Sequence, residues 1–164
     1  MQSLHPAHDL AWFHLVTAHA KAVAAIGAEL AAGADRGILS LEHYDVLLAL
    51  KRSPDSGRLR LSDLADSVVL SRSGLTRMVD RLEKAGLLRR EDCPTDRRGA
   101  FAVLTREGAA ALRRTWPEYA RAIEKYFARF IPQNEAAIVA RALGRVMAGL
   151  STASTTPAAT SCPT

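Results

Sequence analysis

Six residues between positions 71 and 81 have the types and spacing to read a polyanion: Ser71, Arg72, Ser73, Thr76, Arg77 and Arg81. If the segment is helical, at 100° per residue, Leu75, Met78, Val79 and Leu82 share one face. Ser73, Thr76, Arg77, Asp80, Arg81 and Lys84 then occupy the other. A guanidinium can grip the major-groove edge of guanine bidentately, and a hydroxyl can bond bases or phosphates. Residues nearest the start of the helix, Arg72, Ser73, Thr76 and Arg77, come closest to base edges. A second charged group follows at Asp96, Arg97 and Arg98, between two short runs that read as strands. An arginine loses entropy on being held in one pose, and a neighbouring carboxylate can preorganise its planar fork. A narrow A·T-rich minor groove attracts such an arginine electrostatically. The chemistry is recognition without bond making.

The charge balance agrees with a localised site. The chain of 164 residues carries a net charge of +5, and residues 58–106 hold 11 basic and 7 acidic residues, or +4 of it. A basic middle segment with near-neutral flanks suggests one polyanion site rather than a uniformly sticky surface. No P-loop, dinucleotide fingerprint, nucleophile elbow or HExxH occurs, so the common enzyme classes find no constellation.

Several elements must position these groups. Residues 42–51 read as a short helix with Tyr44, Val46, Leu47, Leu48 and Leu50 as its apolar surface. Ser53-Pro54-Asp55-Ser56-Gly57 reads as a turn, and Arg58-Leu59-Arg60 as a brief strand. Ser62 is expected to cap a helix running to residue 68. The recognition-helix candidate spans residues 71–85, with Ser71 as N-cap and Gly86 as its stop. Residues 87–91 and 100–104 pair as wing strands, Phe101 and Val103 offering one apolar face. Pro94 and Gly99 shape the loop that holds Asp96, Arg97 and Arg98.

Within that hairpin lies D-x-R-x5-L-T, filled by Asp96, Arg98, Leu104 and Thr105. Placed directly after a helix-turn-helix, it resembles the winged-helix regulators of the MarR (multiple antibiotic resistance regulator) family, over residues 9–150. The resemblance implies that Arg98 reaches the minor groove while Asp96 orients it or a neighbour. It also implies dimerisation through the terminal helices, and often a crevice for aromatic or phenolic acids between those helices and the DNA lobe. The expected fold is mainly α with a small β wing (α+β).

Outside the reading lobe lie three amphipathic stripes. Trp12, Val16, His19, Val23, Ile26 and Leu30 recur at steps of four and three over residues 10–32. Leu112, Trp116, Tyr119, Ile123, Tyr126 and Phe130 repeat the spacing, as do Val139, Leu143, Val146 and Leu150 after Pro132, a first-turn proline candidate. Such stripes suit helices packed nearly in line, within one chain or between two. A homodimer is favoured because one winged helix buries little surface, and symmetric dimers read two half-sites of a palindromic duplex. The expected organisation is a single domain over residues 9–150. Residues 9–33 and 107–150 are its dimerisation helices, and 42–106 its winged helix-turn-helix lobe. Pro117 should kink the long helix. Residues 151–164, rich in Ser, Thr, Ala and Pro, are expected to be a disordered tail.

Candidate effector contacts are Trp12, His19 and Tyr44, the imidazole donating to an anionic ligand. Cys93, close in sequence to Arg89, Arg90, Arg97 and Arg98, is a redox candidate, because nearby cations lower a thiol pKa. Two alternatives therefore stand beside a ligand-responsive repressor: a thiol-oxidation-responsive regulator using Cys93, and a winged-helix interaction module that does not read DNA. His5, His8 and Asp9 are expected to fray, and no metal site or cofactor is expected. Neither a signal-peptide pattern nor an uninterrupted apolar run near the ~20 residues that span a bilayer is present, so a cytoplasmic protein without a membrane partner is expected.

Overall fold

The computed structural model describes residues 4–55, 57–68, 72–93 and 96–153, and only the backbone of 72, 96–98 and 151–153. In chain order the elements are α1 (Pro6–Ala31), a 3-10 turn (Ala34–Arg36), α2 (Leu41–Lys51), β1 (Arg58–Arg60), α3 (Leu61–Ser67) and α4 (Arg72–Lys84). They continue with β2 (Leu88–Cys93), β3 (Asp96–Leu104), α5 (Arg106–Tyr126), a 3-10 turn (Ala128–Phe130) and α6 (Gln133–Ala153). Mostly helix with one small antiparallel sheet, this is the expected fold class.

Local chemistry sets the helix starts. The Ser40 hydroxyl accepts from the His43 amide at 3.3 Å and caps α2. His5 Nδ1 accepts from the Ala7 amide at 3.2 Å, so α1 begins at Pro6 and the expected fraying of His5–Asp9 is replaced by a capped first turn. Ser62 does not cap α3: it is the second residue of that helix, and its hydroxyl bonds Asp63. Pro132 lies just outside α6, where its carbonyl accepts from the Glu135 and Ala136 amides. The helix α5 continues through Pro117. The expected tail is shortened at its start, because α6 continues to Ala153; residues 154–164 lie outside the described part.

The sheet has the order β1-β3-β2. Register pairs Arg60 and Glu91 with Phe101, and Leu59 and Arg90 with Ala102. Side chains alternate across a strand, so Leu59, Leu88, Ala102 and Leu104 face the core, and Arg58, Arg60, Glu91 and Phe101 the opposite side. Phe101 and Val103 share a face as expected, but it also carries Arg58, Arg60 and Glu91 and lies away from the lobe core. Phe101 is buried, but under arginines: the Arg58 guanidinium lies 3.6 Å from its ring centroid, and that of Arg60 5.4 Å.

The lobe core joins Val46, Leu47 and Leu50 of α2, Leu64 of α3, and Val79 and Leu82 of α4 with Leu88, Ala102 and the start of α5. Most of these side chains are wholly enclosed, and each such burial is worth ~1.5–3 kcal/mol. A smaller cluster, Ile26, Leu30, Leu41 and Ala122, fixes the second half of α1 to α5. Glu29 reinforces it, accepting from the Tyr126 hydroxyl at 2.7 Å and pairing with Lys125.

Thr105 joins the two parts. Its hydroxyl accepts from the Gly108 amide, capping α5, and donates to the Gly86 carbonyl at 2.7 Å, just beyond α4. Gly108 is obligatory at this joint, since a Cβ there would collide with the Leu87 carbonyl. Gly86 has φ +71°, the left-handed conformation that ends α4 as expected.

The remaining apolar stripes are not covered within the chain. Trp12, Val16 and Val23 on α1 are exposed, as are Trp116, Phe130, Val146 and Leu150, and no described residue of α6 is buried. By length and mean hydropathy alone α1 could cross a membrane, although its apolar residues are interrupted by polar ones such as His14, His19 and Lys21, so no uninterrupted apolar run is present in it. Its second half, however, is packed on α5 and carries the bonded Glu29.

Candidate nucleic-acid interface

The helix α4 presents the face that its sequence spacing requires. Leu75, Val79 and Leu82 are buried, and Met78 is half-buried. Ser73, Thr76, Arg77, Asp80, Arg81 and Lys84 are exposed. Arg72 is the first residue of α4, with its side chain outside the described part, and Ser71, the proposed cap, lies outside the described residues altogether.

The wing departs from expectation in one respect. Asp96, Arg97 and Arg98 belong to β3 rather than to a loop; Pro94, expected to shape that loop, lies outside the described residues. Pairing extends through a register shift between Asp92 and Cys93, with Cys93 opposite Asp96. The side chains of residues 96–98 lie outside the described part.

The basic residues of this segment divide into two groups. Arg58 and Arg89 both pair with Glu91, at 3.3 and 2.6 Å. Arg90 bonds Asp80 at 2.5 Å and also pairs with Glu83. Arg77 and Arg81, by contrast, are exposed and make no ion pair with a described residue. Lys84, at the end of α4, is likewise exposed, so the described cations of this helix remain on the surface.

Cys93 is not an exposed thiol at the wing tip. It is buried at 4% exposure, and its Sγ lies 3.5 Å from Arg60 Nη2. Two residues beyond Glu91 on the same strand, its side chain falls on the Arg60 face of the sheet, a strand neighbour that sequence proximity did not reveal.

The effector candidates are separated within one chain. Tyr44 is buried, its ring meeting that of Tyr119 edge-on at 4.8 Å, and burial pushes both phenols above their ordinary pKa. It lines a cleft of about 450 Å³ between α2 and α5, with Leu48, Lys51, Arg52, Leu112, Arg113 and Trp116. Trp12 and His19 are exposed on α1 and do not line that cleft. Among the described residues, no group of three or more His, Cys, Asp or Glu side chains is placed to hold a metal ion.

Sequence reasoning missed Thr105 as a joint, Arg90 as a clamp and the cation-lined cleft. Only the first had a local signal, a threonine directly before a helical run.

Comparisons with known proteins support this geometry. Residues 39–99 match the MarR family model. The regulator PecS of Dickeya dadantii is 36% identical over 81 residues, 49% of this chain and 49% of its own length. The chain spans about half the length of the first curated relatives it matches. Among solved structures, the MarR family regulator Sco3205 of Streptomyces coelicolor, determined in complex with DNA, is 33% identical. That match covers 92% of this chain and 91% of Sco3205, with a TM-score of 0.75. AbsC, a MarR family regulator from the same organism, is 28% identical, covering 93% and 99% of the two chains with a TM-score of 0.74. With its helix-turn-helix, its wing and its terminal helices arranged as in these relatives, the chain belongs to the MarR family of winged helix-turn-helix transcriptional regulators.

Proposed function

We propose that the chain acts in the cytoplasm as a homodimeric, sequence-specific repressor that reads a palindromic operator. The observation that carries this reading is α4: a helix anchored by Leu75, Val79 and Leu82 that turns Ser73, Thr76, Arg77 and Arg81 outward beside a wing. The uncovered apolar stripes of α1, α5 and α6 supply the second requirement, a surface for a second copy. Two copies set two recognition helices one helical turn of DNA apart. In this reading Ser71, Arg72, Ser73, Thr76, Arg77 and Arg81 serve the major groove, and Asp96, Arg97 and Arg98 the minor groove.

The test is binding to a duplex selected from a random-sequence library. Loss of Arg77 as a base-reading group should cost ~1–3 kcal/mol and relax specificity at one position. Loss of a phosphate contact weakens all sequences alike. Affinity should fall steeply with added salt, and a flat dependence sinks the electrostatic reading.

For release, the favoured occupant is an aromatic or phenolic acid in the crevice between the dimer helices and the reading lobe. Tyr44 and Trp116 offer rings, and Lys51, Arg52 and Arg113 offer positive charge. Trp12 and His19 would join this crevice only from an α1 brought close by dimerisation. A ligand shifts operator affinity only through its differential affinity for the two shapes, ~1–3 kcal/mol or roughly 5- to 150-fold. His19→Ala should blunt the response to salicylate or a related acid while leaving ligand-free DNA binding intact. Oxidation of Cys93 is the rival: peroxide release that disappears in Cys93→Ser, with a normal acid response in His19→Ala, decides for the thiol.

A further inference from the structure

Arg90 is the third residue of β2, yet its bonds run to another element. Its Nη2 lies 2.5 Å from Asp80 Oδ1, its Nη1 bonds Glu83 Oε2, and its own amide donates to Glu83 Oε1 at 3.0 Å. One guanidinium fork therefore spans two carboxylates one helical turn apart on α4. Apolar packing of Leu82 and Leu88 holds the root of the wing on the lobe core but does not by itself fix the angle at which the sheet leaves it. Hydrophobic contact is non-directional; a planar fork with two hydrogen bonds, joined by a third from the backbone amide, is directional. The side chains of Arg90, Asp80 and Glu83 are 28%, 59% and 38% exposed, a setting in which ion pairs add little to stability. Orientation is what such a network can supply here.

We propose that Arg90 is a positioning residue of the reading head: by bridging Asp80 and Glu83 it fixes the wing relative to the recognition helix, and so sets which minor-groove position the wing reaches when α4 occupies the major groove. The inference rests on the DNA-binding reading above. Arg90 itself touches no base. Its effect is to make the contributions of α4 and of Arg98 interdependent, since a wing held at one angle delivers its arginine to one place.

The experiment uses the full-length dimer and a duplex selected by the unchanged protein from a random-sequence library. Arg90→Lys keeps the charge but cannot bridge two carboxylates as a planar fork. It should weaken binding roughly tenfold, with the salt slope and the melting temperature unchanged. Glu83→Gln, which leaves Arg90 in place and loosens the same clamp from the helix side, should weaken binding in the same direction. It also keeps the test open if Arg90→Lys folds poorly. Arg98→Ala should cost much less affinity in the Arg90→Lys background than in the unchanged chain, because a wing already misplaced has less to lose. Three results overturn the proposal. They are clamp variants that bind as the unchanged chain does, Arg98 and Arg90 effects that simply multiply, and an Arg90→Lys loss that comes with a salt slope smaller by about one contact, which marks a direct phosphate ligand. Failure of the unchanged protein to select any duplex overturns the DNA-binding reading itself, and this inference with it.

Discussion

The winged-helix lobe and the terminal helices both carry regularly spaced apolar residues and treat them in opposite ways. In the lobe, Val46, Leu47, Leu50, Leu64 and Val79 are wholly enclosed. On the terminal helices, Trp12, Met147, Leu150 and Phe130 are 64–70% exposed. Composition does not separate the two regions; chain topology does. Four helices and a sheet surround the lobe core from several directions, whereas α6 follows a turn and has no described residue buried. An exposed apolar stripe of this length is a surface awaiting a partner. The lobe is thus stabilised within one chain, and the terminal helices carry the exposed surface that the proposed dimer would cover.

This contrast can be broken or sharpened by experiment. The largest effect is expected in the lobe: Leu47→Ala should cost ~2–5 kcal/mol of unfolding free energy, read from urea denaturation. A cost of a few tenths would mean that the lobe is looser than its burial indicates. Next come Leu143→Glu with Val146→Glu on α6, which should weaken dimerisation roughly a thousandfold if each position acts as an interface anchor. Sedimentation should then show monomers whose lobe keeps its circular dichroism. A stable monomer of the unchanged chain would remove the association half of the comparison.

A smaller effect is expected where the two regions meet. Thr105→Val removes both the cap of α5 and the bond to Gly86, at ~0.5–2 kcal/mol. Operator affinity should fall with it, since this joint ties the end of α4 to α5. A variant with unchanged stability and affinity would show that apolar packing alone sets the angle.

The smallest concerns the pin between α1 and α5. Hydrogen bonds from Lys125 and Tyr126, then the Lys125 charge, hold the Glu29 carboxyl below its ordinary pKa of 4.5. A carboxylate depressed in the fold contributes stability that is present above its unfolded pKa and lost as pH falls through the folded value. The melting-temperature difference between the unchanged chain and Glu29→Gln should therefore be constant near neutrality and close in acid below about pH 4.5. Because Glu29 is solvent-exposed, the difference should be slight. A difference that widens on acidification contradicts the pin.

Much of this was legible from periodicity. The spacing of Leu75, Val79 and Leu82 fixed which side of α4 is buried, because a helix allows one wheel, and Gly86 marked its end. The motif Asp96, Arg98, Leu104 and Thr105 marked the wing and the family. The exposed stripes were visible as stripes, though the half of α1 that packs on α5 and the half left open look alike in one dimension.

What only the tertiary structure decided are the relations between residues far apart in sequence. Register placed Phe101 under Arg58 and Arg60, since strand pairing, not strand identity, selects a side chain's neighbours. Extension of strand pairing to Cys93 buried, beside Arg60, a thiol that local sequence would leave at a loop tip. Folding also sorted the arginines: Arg58, Arg89 and Arg90 were spent on Glu91, Asp80 and Glu83, while Arg77 and Arg81 stayed open. A sequence lists charges, but whether a charge faces a carboxylate or a phosphate depends on distances of a few ångströms, and these are set only when the helices and sheet pack.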